Sequence, residues 1–548
     1  MQAYAQGVQT PPRSGGLAYK WVVALIVVFG VFMSILDQTI VNIAIPRLQT
    51  AFGADIHSVQ WVLTAYILTQ GVVTPTAGFF ADTLGTKRFY IISLAAFTIG
   101  SALCGLAWSL PVLIFFRILQ GAGGAALFPL SITMLFREFP PQERGLASGF
   151  FGVPALLAPA IGPTLGGYLV SYAGWQSIFY INLPIGILAI ILMSIFIRES
   201  PTEANLRFDF LGFFFAALGL STLLYGLSDA STDGWGSIQV IGSATFGILA
   251  LAVFVAVELS IIRRGGRPLL DLRLFLNWPF TISIIASLFV IFSLFGGVFI
   301  FPIYLQNLRG QSAFQAGLIL LPQALASMVS TVIGGRLVDR VGVRGIMIPG
   351  LAILAFATWQ LSYLTLYTPF WWIQLILIVR GVALGLSVQP LTVAGLSEIA
   401  PRQLAQASSL NTVARAVSSS LGIAVLATLI QTQSQVHYAH LAEQVTATSP
   451  LGKLLPLLQA LLISRGGGIL QAQSTAYQVI SGLVQQQAYL LAIGDAFRFS
   501  LVVAILAIIA VLFVRSSRRK ADNAPRIAQG QEDPSEEALS PRQLVFAE

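Results

Sequence analysis

Gly78-Phe79-Phe80-Ala81-Asp82-Thr83-Leu84-Gly85-Thr86-Lys87-Arg88 returns in the second half of the chain as Gly335-Arg336-Leu337-Val338-Asp339-Arg340-Val341-Gly342-Val343-Arg344. Both copies fit G-x3-D-x2-G-x-[KR], and each joins the end of one apolar run to the start of the next. One match carries little weight. Two, at equivalent places in a series of apolar runs, argue for two related halves, a known construction in helical membrane proteins. Gly78 and Gly85 let such a turn pack tightly, and Asp82 suits capping of a neighbouring helix N-terminus. Lys87, Arg88 and Arg344 close the pattern with positive charge. Other echoes agree: Arg117 precedes Gly121, Gly124 and Pro129, while Arg380 precedes Gly385 and Pro390.

The composition places these turns between membrane spans. The 548 residues are 56% hydrophobic and only 9% charged, where soluble chains carry about 25% charged residues. Mean hydropathy is +0.81. With roughly 20 apolar residues needed to cross the hydrocarbon core, the pattern predicts an all-α polytopic protein with spans at 21–46, 59–81, 89–108, 111–136, 146–172, 177–197, 210–227, 238–262, 279–304, 313–338, 346–366, 370–396, 404–430 and 490–514. The seventh and eighth have no counterpart in the repeat and read as an insertion. The domain reading is therefore a terminus at 1–20, a six-helix bundle at 21–197, a linker with two inserted helices at 198–278, a second bundle at 279–514 and a polar tail at 515–548.

Charge placement orients the chain. One side holds only Arg47, Arg309, Lys453 and Arg465, and Arg117, Arg380, Arg415 and Arg498 fall within spans. The remaining 22 of the 30 basic residues lie on the other side, which the positive-inside rule makes cytoplasmic, together with both termini. The net charge of +8 is thus a matter of membrane topology and gives no reason to expect a nucleic-acid partner. The single cysteine, Cys104, allows no internal disulfide. Residues 431–489 form an external, glutamine-rich segment in which Leu451 to Ser464 reads as an interfacial helix.

The charges inside the spans are the candidates for function. A charge at bilayer depth costs ~3 kcal/mol on insertion scales, so it is rarely idle. Asp37 lies nine residues from Pro46 and Arg117 six from Pro111, about 14 and 9 Å from the outer face at 1.5 Å per residue, so the two can meet. Such a pair either fixes helix packing or exchanges a proton against a substrate. Asn42, Gln120, Gln323, Gln389 and Arg415 are polar groups placed to line the same cavity. In span 5, Ala158, Gly162 and Gly166 repeat every four residues beside Pro159, Pro163 and Gly167, which reads as a close-packing face with a bend. The scarcity of acids beside Asp37 suits hydrophobic compounds that are neutral or singly cationic. Neither a G-x4-G-K-[ST] loop nor an H-E-x-x-H motif or cysteine cluster occurs, so nucleotide-driven work, metal chemistry and enzyme activity have little to stand on.

These residues resemble the major facilitator superfamily, and more narrowly its fourteen-span drug:H+ antiporters of the EmrB/QacA type. The resemblance covers roughly 18–515. It rests on Leu36-Asp37-Gln38-Thr39-Ile40-Val41-Asn42 with Pro46, on Gly78 to Arg88, on Arg117 with Gln120-Gly121, on Gly162-Pro163-Thr164-Leu165-Gly166-Gly167, and on Trp175 and Phe179 with Asn182-Leu183-Pro184. Gln176 stands where many relatives carry a basic residue. The resemblance implies the major facilitator fold, two six-helix bundles plus two inserted helices. It also implies proton-driven export of drug-like compounds by alternating access in a cell membrane, with the proton gradient as energy source and no bound cofactor. Asp37 and Arg117 would then couple proton to substrate. Gly78, Asp82, Gly85, Lys87, Arg88 and Asp339 would form the cytoplasmic gate, with Gly162, Pro163, Gly166 and Gly167 a seal between halves. The long external segment with Gln485-Gln486-Gln487 resembles members that dock a periplasmic adaptor. Export of a dedicated metabolite, lipid or amino acid, or a receptor or scaffold on the same fold, are the competing readings.

Overall fold

The computed structural model describes residues 18–514 apart from 201, 203–206, 447, 466 and 467. The expected tail at 515–548 and most of the 1–20 terminus lie outside the described residues. The first half runs α1 (Tyr19–Phe52), α2 (Ile56–Val73), α3 (Ala77–Leu84), α4 (Thr86–Gly105), α5 (Leu110–Gly124), α6 (Leu127–Glu138), α7 (Arg144–Tyr172), α8 (Ser177–Tyr180) and α9 (Asn182–Phe196). Two further helices, α10 (Phe210–Asp233) and α11 (Ile238–Arg263), follow. The second half comprises α12 (Trp278–Ile303), α13 (Ala313–Val341), α14 (Val343–Leu361), α15 (Phe370–Leu396), α16 (Leu404–Glu443), α17 (Pro450–Ser464) and α18 (Ile469–Phe513). Among the described residues, 11 helical segments are long and apolar enough to cross a bilayer, and bent α7 makes up to 12. The two spans left over correspond to α2–α3, which is interrupted, and α12, so fourteen crossings are compatible with the fold.

Local chemistry explains the interruptions. Pro75 has no N–H to donate, and a 3-10 turn at Thr74–Thr76 separates α2 from α3. Gly121, Gly123 and Gly124 loosen the end of α5 before α6 begins. The two breaks face each other: the Thr74 hydroxyl sits 3.1 Å from the Ala125 carbonyl, so a backbone group freed at one break is met from the other, as lipid requires. The bend foreseen from the span-5 prolines is present, 44° between Pro159 and Thr164.

Small residues set the helix spacing. A Cβ on Gly123 would fall 2.3 Å from the Phe97 backbone nitrogen. We expect Gly123→Leu to destabilise the first bundle by about 1–3 kcal/mol through overpacking. Thermal unfolding in detergent would read this as a lower melting temperature, and an unchanged one would mean α4 and α5 are not in tight register there.

The inserted pair bridges the halves at their side. Gly219 packs against Leu251 and Gly247 against the Leu223 backbone, holding α10 on α11. Leu224 of α10 packs on Gly71 of α2, and Trp235 Nε1 donates to Thr428 Oγ1 of α16 at 2.8 Å.

The external segment 431–489 is largely helical: α16 is one helix of 40 residues that runs on from span 13, and α18 one of 45 that leads into span 14. At 1.5 Å per residue these are about 60 and 68 Å long, twice the ~30 Å hydrocarbon core. They stand beyond the core as a helical extension. Its polar stretches are rich in Gln, Ala and Leu, which keep good helix propensity without being apolar enough to read as a span. At its foot Asp495 accepts from Arg498 at 2.9 Å and also meets His437 Nε2 of α16 at 2.7 Å. Leu451–Ser464 is helical as foreseen (α17), started by Pro450 and capped by the Ser449 hydroxyl.

Candidate functional site

Asp37 projects from the interior of α1 and is completely buried, as is Arg117 of α5. Arg117 Nη1 donates to Asp37 Oδ2 at 2.6 Å. Gln120, one turn further along α5, donates Nε2 to Asp37 Oδ1 at 2.9 Å. Asn182, the first residue of α9, donates Nδ2 to the same oxygen at 3.0 Å. Three helices thus converge on one carboxylate. A carboxylate only accepts, and all three of these hydrogen bonds come from donors.

Arg117 is held as tightly. Nε donates to the Val62 carbonyl at 2.9 Å, Nη1 also reaches Gln120 Oε1 at 2.7 Å, and the guanidinium lies 4.0 Å from the Tyr66 ring centroid. One nitrogen, Nη2, has no partner, and neither has Asn182 Oδ1. Asn182 was missed as a site residue; its signal was its place in the Asn182-Leu183-Pro184 pattern. Tyr66, Ser34 and Gln70 make a polar strip beside the pair, since Gln70 Nε2 donates to the Tyr66 hydroxyl at 2.8 Å and Gln38 Nε2 to Gln70 Oε1 at 2.9 Å.

The other candidate cavity residues are dispersed. Asn42 is exposed and donates to the Gln38 carbonyl of its own helix at 3.3 Å, away from the ion pair. Gln389 is buried beside Gly152 of α7, and the side-chain carbonyls of Gln323 and Gln389 have no partner. Arg415 is half-buried, its guanidinium 5.6 Å from the ring of Phe128 in the opposite half.

The candidate gate residues gather where the two halves meet, at the end carrying the repeated turns. Asp339 caps a helix of the other half: the backbone nitrogens of Gly145 and Leu146, at the start of α7, donate to its carboxylate at 2.9 and 3.0 Å. Gly335 abuts Gly145 so closely that a Cβ on it would lie 2.3 Å from the Gly145 carbonyl oxygen. The first copy crosses the other way, with Gly78 seated on Gln406 near the start of α16. Asp82 lies near Arg137, whose Nη1 donates to Thr86 at 2.7 Å. Gly85, at φ +88°, makes the turn into α4. Lys87 and Arg88 reach Glu199 at 3.6 and 3.3 Å, within the same half. The capping expected of Asp82 is seen instead in the second copy, at Asp339, while Lys87 and Arg88 do not cross the seam.

Gly162 and Gly166 pack on Thr39 and Ile40 of α1, two and three residues from Asp37, so the small face of α7 lies inside the first half. Gly167 has open space at its Cβ position and is not part of that face. The side chain of Pro163 lies outside the described residues. The face that does meet the second half is Gly145, Gly149 and Gly152, which the sequence reading passed over.

Two helical halves closed on each other at one end, one of them enclosing a buried ion pair, define a multi-pass membrane protein with the architecture of a secondary transporter. Residues 27–423 match the Major Facilitator Superfamily, and the chain belongs to it. It is 31% identical over 90% of its length to an uncharacterized MFS-type transporter, YhcA, of Bacillus subtilis (strain 168), covering 93% of that protein. It is 34% identical to a multidrug resistance protein B homolog of Mycobacterium tuberculosis (strain ATCC 25618 / H37Rv), over 77% of this chain and 79% of the relative. Among solved structures it shares the fold of the proton:xylose symporter XylE, with a TM-score of 0.54 and 15% identity over 91% of this chain and 96% of that one.

Proposed function

We propose that the protein is a proton-coupled antiporter that exports hydrophobic, drug-like compounds by alternating access, from a cell membrane in which both termini are cytoplasmic. The observation that carries this reading is Asp37, an acid sealed at membrane depth by three donors from two other helices. A buried ion pair is a weak stabiliser, and a carboxylate whose donors sit on separate helices exchanges them when those helices move. The proton gradient is then the energy source, with no resident cofactor. The multidrug resistance relative supports drug-like cargo, and the positive-inside rule supports the orientation. The seam at Asp339 and Gly335 is, on this reading, the closed cytoplasmic gate.

Substrate-dependent proton release decides the matter. Detergent-solubilised protein in weak buffer should release protons when a transported compound is added. A protein that lowers drug accumulation in cells yet releases no proton on binding any compound would be a facilitator, and one with no flux in proteoliposomes under an imposed pH gradient would be a receptor or scaffold.

A further inference from the structure

The second half repeats the architecture of the first with its acid missing. Arg380 lies in α15 as Arg117 lies in α5, and both are buried. Where α1 presents Asp37, its counterpart α12 presents Gly297, and the Arg380 guanidinium fills that space so fully that a Cβ there would lie 2.1 Å from Cζ. Among the described residues Arg380 makes one hydrogen bond, from Nη2 to the Leu294 carbonyl at 3.1 Å, while Nε and Nη1 have no partner. Arg415, about three turns into α16, makes no hydrogen bond or ion pair among the described residues and faces the opposite half through Phe128. Within the spans of the two halves, away from their ends, the charged residues are Asp37, Arg117, Arg380 and Arg415. The first two neutralise each other.

A guanidinium stays protonated under all physiological conditions, so this surplus of positive charge cannot be relieved by losing a proton. A buried cation at that depth needs a counter-charge or water. Asp37 is already ion-paired with Arg117 in the first half. We propose that the second half is a binding site for an anionic group on the cargo, a carboxylate above all. Arg380 offers Nε and Nη1 to that group, and Arg415, facing the opposite half, adds a second positive charge. This replaces the expectation of neutral or cationic cargo. It rests on the transport reading for the word cargo, and the site itself stands on the geometry.

The test uses the full-length protein in detergent and three probes on one scaffold: pyrenebutyrate, its methyl ester, and the pyrenylbutyl trimethylammonium cation, with binding followed by pyrene fluorescence. Wild type should bind the carboxylate at least tenfold more tightly than the ester or the cation. R380M should bring carboxylate and ester within twofold of each other and leave ester binding unchanged. R415M should lower carboxylate affinity by a smaller factor. Should R380M not fold, R380K decides, since it keeps the charge and loses the planar fork; several-fold weaker carboxylate binding is expected. Equal binding of carboxylate and ester by wild type, or an unchanged preference in R380M or R380K, would overturn the assignment. Selective binding without proton-dependent flux would instead sink the transport reading and leave this site standing.

Discussion

Asp37→Asn is expected to abolish proton-driven export, so that an efflux-deficient host expressing it accumulates drug like a host with no exporter. The substitution keeps the shape and removes the charge. Arg117, fully buried, is then left without its counter-ion, and breaking one side of a buried pair costs about 3–5 kcal/mol. Lost stability alone would mimic lost coupling, so the second arm is the double variant Asp37→Asn/Arg117→Gln. Removing both charges leaves neither one uncompensated in the core, which is what makes the single substitution costly. The double variant should therefore recover much of the wild-type melting temperature. If the pair only fixes α1 on α5, export returns as well. If Asp37 is the proton carrier, export stays at or below about a hundredth of the wild-type rate, the scale of loss expected when an indispensable ionisable group is removed at about 3 kcal/mol of transition-state stabilisation. Recovery of export in the double variant would end the coupling assignment.

The sequence exposed the ion pair because intramembrane charges are few and because depth can be counted along a helix from a proline at its end. Asn182 escaped for a physical reason. An amide at a helix start reads as local capping, and nothing in its spacing says that it reaches a carboxylate on another helix. The repeated turns were legible as a duplication, but which helix Asp339 caps is a property of how the halves close, and the chain order hides it. The extension of α16 and α18 was illegible to hydropathy, since that measure stops where apolar character stops while Gln- and Ala-rich sequence continues to favour a helix. Arg380 could be seen to be charged, yet its missing partner became visible only when Gly297 was found at its side.

Gly335→Val is expected to stop transport by a different route. The two halves touch at Gly335 and Gly145 through backbone, so neither side can give way as a flexible side chain would: a Cβ on Gly335 would meet the Gly145 carbonyl oxygen at 2.3 Å and the Gly149 Cα at 3.1 Å. The same closure lets Asp339 accept from the exposed nitrogens at the start of α7. A valine there loads about 1–3 kcal/mol onto the closed arrangement and nothing onto one in which the halves have parted. That shifts the balance between the two by roughly 5- to 150-fold toward the parted form. The folded protein should keep its melting temperature within a few degrees, because parting the halves relieves the clash. Export should fall at least tenfold while ligand binding in detergent persists. A cysteine at Ser148, buried on the side of α7 that carries Gly145, Gly149 and Gly152, reports the change directly, and native Cys104 is itself buried. Ser148→Cys should react with a water-soluble maleimide at least tenfold faster in the Gly335→Val background. Equal reactivity together with near-normal export would mean that the seam can open and close around a larger residue, and that its closure is no obligatory step.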